Sequence, residues 1–101
     1  YDIRNSEDAK RFGILELGKD GEIISFEEKP QNPKTTLASV GLYLFSRTDI
    51  KFVEEYKKKG FGKGGIGFLV KYLVENKKVY SYKFDGWWFD IGSKEEYEKL
   101  K

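Results

Sequence analysis

Cysteine, histidine and methionine occur nowhere in this sequence. Without thiols or imidazoles there are no disulfides, thiolate zinc sites, imidazole general bases or thiol nucleophiles. Any catalysis must draw on carboxylates, lysines, backbone amides and a hard metal ion. The chain opens on Tyr1, a residue too large to follow a trimmed initiator, so the expectation is a piece of a longer polypeptide. Proline is scarce too: both copies fall in Lys29-Pro30-Gln31-Asn32-Pro33-Lys34, where they remove backbone donors and bias their predecessors away from helix, marking a loop. No apolar run is long enough to span a bilayer, and Tyr1 to Arg11 are too polar for a secretory leader, which argues for no membrane partner and a cytoplasmic location. A net charge of +2, from 19 basic and 17 acidic residues, is too small for a dedicated nucleic-acid binder.

What is present suits a folded domain. The 101 residues are 39% hydrophobic, 17% aromatic and 36% charged, and a chain of this length buries roughly two-thirds of its extended surface. Apolar residues at Phe12, Ile14 and Leu17, then at Ile23, Ile24 and Phe26, bracket Gly18-Lys19-Asp20-Gly21, whose Asp-Gly pair suits a turn of positive φ. This predicts a β-hairpin. Leu37 to Phe45 reads as a buried strand with Gly41 inside it, and Val79 to Phe84 as another. Ser46 and Asp49 open a helix carrying Ile50, Val53 and Tyr56, closed by Lys57-Lys58-Lys59-Gly60. Ile66, Leu69, Val70, Leu73 and Val74 form the apolar stripe of a second helix. Ser93 with Glu96 is a capping box for a third, running through Leu100. The expected fold class is α/β: a mixed sheet of about four strands with three helices.

Two segments carry candidate chemistry. Glu27-Glu28-Lys29-Pro30 ends a predicted strand, so a carboxylate and an ammonium stand side by side at a rigid edge. By charge pattern it is first a surface ion pair at a turn; the alternative is a sugar phosphate site, with the carboxylate taking hydroxyl hydrogen bonds and the ammonium offsetting phosphate charge. In Trp87-Trp88-Phe89-Asp90-Ile91-Gly92-Ser93, an acid among aromatics precedes a helix. Asp90 is either a helix-capping acid beside core aromatics or a partly desolvated carboxylate fit for a hard divalent cation.

Together the segments resemble the sugar-1-phosphate nucleotidyltransferases, a family that includes glucose-1-phosphate thymidylyl- and uridylyltransferases, mannose-1-phosphate guanylyltransferases and ADP-glucose pyrophosphorylases. The likeness runs through Arg11-Phe12-Gly13, Asp20-Gly21, Phe26-Glu27-Glu28-Lys29-Pro30, Gly41-Leu42-Tyr43 and Phe84-Asp85-Gly86-Trp87-Trp88-Phe89-Asp90-Ile91-Gly92-Ser93 to Tyr97, in the family's order. It implies that residues 1–101 are the C-terminal, sugar-phosphate-binding half of a Rossmann-like nucleotidyltransferase domain. By the same likeness, Gly13 offers its backbone to the sugar, Glu28 binds sugar hydroxyls, Lys29 contacts the sugar phosphate and acts in catalysis, and Gly41, with Ser39 and Tyr43, lines the hexose pocket. Asp90 is implied as a catalytic carboxylate and one of two that hold Mg2+. The implied substrates are a hexose 1-phosphate and a nucleoside triphosphate, and relatives of this kind form homo-oligomers.

The sequence departs from the family in two places. It has no Gly-x-Gly-Thr-Arg loop to hold a triphosphate, and Gly60-Phe61-Gly62-Lys63-Gly64-Gly65 reads as a connector before a helix rather than a phosphate cradle. It also has Gly-Ile-Gly where many relatives are acidic before the second helix. Two further readings remain at this level. One is a non-catalytic carbohydrate-binding or assembly module with Trp87 and Trp88 as a stacking platform; the other is a single-strand nucleic-acid binder built on Lys57 to Lys63, disfavoured by the charge balance.

Overall fold

The computed structural model describes residues 1–60 and 64–101, so the middle of the glycine-rich connector lies outside the described residues. The predicted hairpin is present. Strand β1 (Gly13–Leu17) pairs antiparallel with β2 (Ile23–Glu28), Gly13 opposite Glu28 and Leu15 opposite Phe26, with a bulge at Glu16/Leu17. Its turn has positive φ at Asp20 (58°) and Gly21 (76°), the mirror-image geometry whose twist suits a hairpin.

Alternation along the strands sends side chains to two faces. On one, Ile14 joins Ala9 and Ala38 in a small cluster flanked by Ile3 and Phe12. On the other, β2 packs against helix α3 (Ile66–Asn76), whose stripe buries Leu69, Val70 and Leu73 as its spacing predicts. Helix α2 (Ile50–Lys58) leans on α3 through Tyr56, Leu69 and Leu73. Ahead of it, Ser46 and Asp49 exchange side-chain hydrogen bonds with each other's backbone N–H groups, so the start signal makes a turn before the first helical residue. Helix α4 (Lys94–Glu98) is capped by Ser93, whose Oγ accepts the Glu96 N–H. A short helix α1 (Ser6–Ala9) was not predicted. Asn5 caps it by accepting from the N–H groups of Glu7 and Asp8, and an Asn ahead of an acidic pair was its legible signal.

The expected sheet of about four strands is corrected to two among the described residues, and the three helices to four. Leu37 and Ala38 do run beside β1, since Leu15 N–H donates to the Leu37 carbonyl at 3.0 Å and Ser39 N–H to that of Gly13 at 2.8 Å. Tyr80 bridges Glu22. Neither segment goes on as a ladder, because a strand needs a partner edge and residues 40–45 and 82–84 meet none among the described residues. Leu42 and Leu44 are 83% and 97% exposed. No helix of the described residues is long and apolar enough to cross a membrane.

Candidate functional site

Lys29 stands where β2 ends, and its backbone is unusual. Its φ is +47°, in the left-handed region where an L-residue costs roughly 1–2 kcal/mol, and it immediately precedes a buried proline. Its N–H donates to the Phe12 carbonyl at 3.0 Å, which fixes the kink against the residue before β1. The lysine itself is left exposed.

The neighbouring Glu28 is half-buried. Its carboxylate crosses the face of Gly13, lying 3.1 Å from where a Cβ there would sit, and comes to rest on Gly67 in the first turn of α3. A Cβ on Gly67 would overlap the Glu28 carboxylate outright, its Cδ being only 2.6 Å away. The Gly-Ile-Gly segment therefore makes room for an acid supplied from β2, on a helix with no acidic residue in its own first turn. Gly13 is constrained as tightly: a Cβ would lie 2.5 Å from Phe26 Cζ.

Ser39 joins the group through its backbone bond to Gly13, and its hydroxyl is 2.8 Å from that of Tyr43. Between them Gly41 has φ +80°, and a Cβ added there would meet nothing within 4 Å, so a backbone turn, not crowding, calls for glycine. Gly13, Glu28, Lys29, Ser39 and Tyr43 thus form one connected set around the open end of the hairpin, with Gly41 in the adjoining turn. Ser39 and Tyr43 also face a largely apolar cavity of about 360 Å³ that runs on between Leu15, Val70 and Val79.

Asp90 lies outside that set. It is exposed, which corrects the expectation of a partly desolvated carboxylate. The aromatic residues alternate in direction: Trp88 turns inward between Tyr1 and Phe12, at ring distances of 5.7 and 5.4 Å, while Trp87 and Phe89 stack on each other facing solvent. Lys29 and Asp90 make no ion pair among the described residues, yet both lean on Arg11-Phe12, Lys29 through the Phe12 carbonyl and the Asp90 loop through Trp88. No group of three or more acidic residues is arranged to hold a metal among the described residues. A single hard carboxylate does fit a magnesium ion, which takes one or two protein carboxylates and fills its sphere with water and phosphate oxygens.

Three residues beyond the predicted set touch this region. Gly67 seats Glu28, and Arg11 pairs with Glu96 of α4 at 2.5 Å. That pairing holds the Glu96 carboxyl below its ordinary range, helped by the Gly92 N–H, and holds the Arg11 guanidinium above its own. Glu96 was legible only as a helix cap, since no pattern in sequence connects it to a residue 85 positions away.

Residues 1–101 match in full the family model described as Nucleotidyl transferase. The chain belongs to the nucleotidyl transferase family. It is 39% identical over 97 residues to the glucose-1-phosphate adenylyltransferase of Acetivibrio thermocellus, covering 90% of this chain and 22% of that protein. The enzymes of the same name from Thermomicrobium roseum and Lachnospira eligens are 35% and 36% identical over 96 and 95 residues, again with 22% of each relative covered. This nucleotidyl transferase chain therefore spans about a fifth of the length of the curated relatives it matches.

Proposed function

We propose that this chain is the sugar-phosphate-binding part of an enzyme that joins a hexose 1-phosphate to a nucleoside triphosphate, with the nucleotide-binding half supplied by polypeptide outside these residues. In that reaction a phosphate oxygen of the sugar phosphate attacks the α-phosphorus in line. The new P–O bond forms as the bond to the β-phosphate bridging oxygen breaks, and pyrophosphate leaves with that electron pair. No side-chain nucleophile is required, in keeping with a chain that has neither cysteine nor histidine.

The observation that carries the reading is the left-handed backbone of Lys29. Strain of this kind persists where surrounding structure enforces it and gathers at ligand clamps. Here it parts two neighbouring charges, sending the Glu28 carboxylate toward Gly13 and Gly67 and leaving Lys29 exposed. A sugar phosphate has the same polarity, hydroxyls at one end and a dianion at the other. Glu28 would accept the hydroxyl hydrogen bonds, while Lys29 would aim the attacking phosphate and offset its repulsion from the triphosphate. Asp90 would hold Mg2+, which when bound supplies further charge neutralisation on the phosphates. Gly13, Ser39, Gly41 and Tyr43 would border the hexose.

The relatives' names make glucose 1-phosphate and ATP the first pair to assay. In the intact polypeptide carrying this chain, pyrophosphate release with magnesium is expected, and Lys29→Ala should lower kcat/KM for the sugar phosphate roughly 10- to 100-fold, the loss of one charged hydrogen bond. Absence of release from any hexose 1-phosphate and triphosphate pair would overturn the reading. The stacked, exposed Trp87 and Phe89 favour the second reading, a carbohydrate-binding module. Binding of a free hexose that needs neither phosphate nor magnesium and survives Lys29→Ala would put that reading in its place.

A further inference from the structure

Asp90 occupies the middle of a loop, 88–92, that is tied at both ends to the same dipeptide. At its start, Trp88 packs edge-on against Phe12 at 5.4 Å. At its end, Gly92 N–H donates to Glu96 Oε2 at 3.0 Å, and the other oxygen of that carboxylate accepts from Arg11 Nη2 at 2.5 Å. Glu96 is itself fixed in the first turn of α4, because its N–H donates to Ser93 Oγ. One carboxylate thus closes the loop and engages a guanidinium at the same time.

The guanidinium has another suitor. A Cβ built on Gly92 would lie 3.4 Å from Glu96 Oε2 and 3.5 Å from Asp90 Oδ2, so the Asp90 carboxylate sits beside the one that holds Arg11. Only Glu96 makes the direct contact, and Asp90 has no ion-pair partner among the described residues. We infer that Glu96 is a positioning residue for the Asp90 centre: it holds Gly92 at the loop's end and keeps Arg11 off the Asp90 carboxylate, so that this oxygen ligand stays free for a divalent cation. The inference rests on the reading of Asp90 as a metal ligand. It makes a prediction that a purely structural ion pair does not, because damage done by removing Glu96 should be repaired by removing Arg11 as well.

The test is Mn2+ binding to the intact polypeptide, followed by electron paramagnetic resonance of the free ion, with far-UV circular dichroism to confirm folding. Glu96→Gln keeps the side chain's shape and releases Arg11 toward Asp90, and should weaken Mn2+ about tenfold, within the range found when a group behind a metal ligand is removed. Arg11→Ala alone should stay within about threefold of the unchanged protein, and the double variant Arg11→Ala/Glu96→Gln should regain most of the loss. Wild-type affinity in Glu96→Gln, or a double variant no tighter than Glu96→Gln, overturns the inference. Asp90→Asn separates the two levels. If it leaves Mn2+ affinity unchanged, the metal reading itself has failed; if it abolishes binding while Glu96→Gln does nothing, only the role given to Glu96 falls.

Discussion

The hairpin with its α3 backing and the segments 40–45 and 82–91 have similar apolar content but opposite fates. In the hairpin, Phe26 and Ile14 are each 4% exposed; in the other region, Leu44 is 97%, Tyr82 88% and Trp87 77% exposed. The difference is one of partners, not of residue type. β1 and β2 satisfy each other's backbone through a tight turn and present one face to α3, whereas 40–45 and 82–91 are irregular stretches that join no strand ladder among the described residues. Burial follows pairing, and the rigid part of the candidate site, Gly13 through Glu28 and Lys29, belongs to the paired region.

The largest effect should come from removing the packing beneath that rigid part. Phe26→Ala should cost about 3–5 kcal/mol in urea unfolding, as for other buried aromatics, while Leu44→Ser should change stability by no more than about 0.5 kcal/mol. Equal losses at the two positions would erase the contrast. A large loss at Leu44 in the intact polypeptide alone would show that residues outside this chain cover it.

Next in size is Gly67→Ala. Its Cβ would displace the Glu28 carboxylate, yet alanine is the better helix former by about 1 kcal/mol, so stability should move by no more than that. The sugar-phosphate KM should instead rise roughly tenfold, since small misplacements of a positioning group are costly. Glu28→Ala combined with Gly67→Ala should be no worse than Glu28→Ala alone. Independent, additive effects in that cycle would show that Gly67 does not act through Glu28.

Lys29→Gly follows and has the opposite sign for stability. Glycine accepts φ +47° without penalty, so unfolding should become harder by about 1 kcal/mol while turnover falls. A variant that loses stability would mean that the lysine side chain, not the strained backbone, holds this corner.

How much of this could be read beforehand depended on how local each cause was. The α3 stripe and the positive-φ turn at Asp20-Gly21 are set within a few residues, and both were legible. So was the Ser93 cap. Leu37–Phe45 failed as a strand because its apolar run records a preference for burial but not whether a partner edge exists. The Asp90 surroundings failed for a related reason: three consecutive aromatics suggest a dry pocket, yet alternation turns only Trp88 inward. The kink at Lys29, the Glu28 seat on Gly67 and the Arg11–Glu96 contact all arise between elements distant in sequence, where pattern has no reach.

The smallest effect expected is electrostatic and falls on the exposed side. Arg11, foremost, and the Gly92 N–H favour the charged form of Glu96, so its folded carboxyl titrates below the ordinary 4.5. A depressed pKa stabilises the fold fully above the unfolded value, and that contribution is lost as pH falls from about 4.5 through the folded value, because the unfolded chain takes up the proton first. Glu96→Gln should therefore leave a shallower acid limb in a plot of unfolding free energy against pH, with the gap to the unchanged protein closing as pH falls below about 4.5. Asp2, lowered in the same direction by the Thr36 hydroxyl and the Arg4 N–H, keeps part of that limb, and Asp2→Asn in the Glu96→Gln background should flatten it further. Because Arg11 and Glu96 meet near solvent, molar salt should shrink the Glu96 share while leaving the Phe26 core effect untouched. A Glu96 contribution that resists salt would place this ion pair with the packed hairpin region instead of the open one.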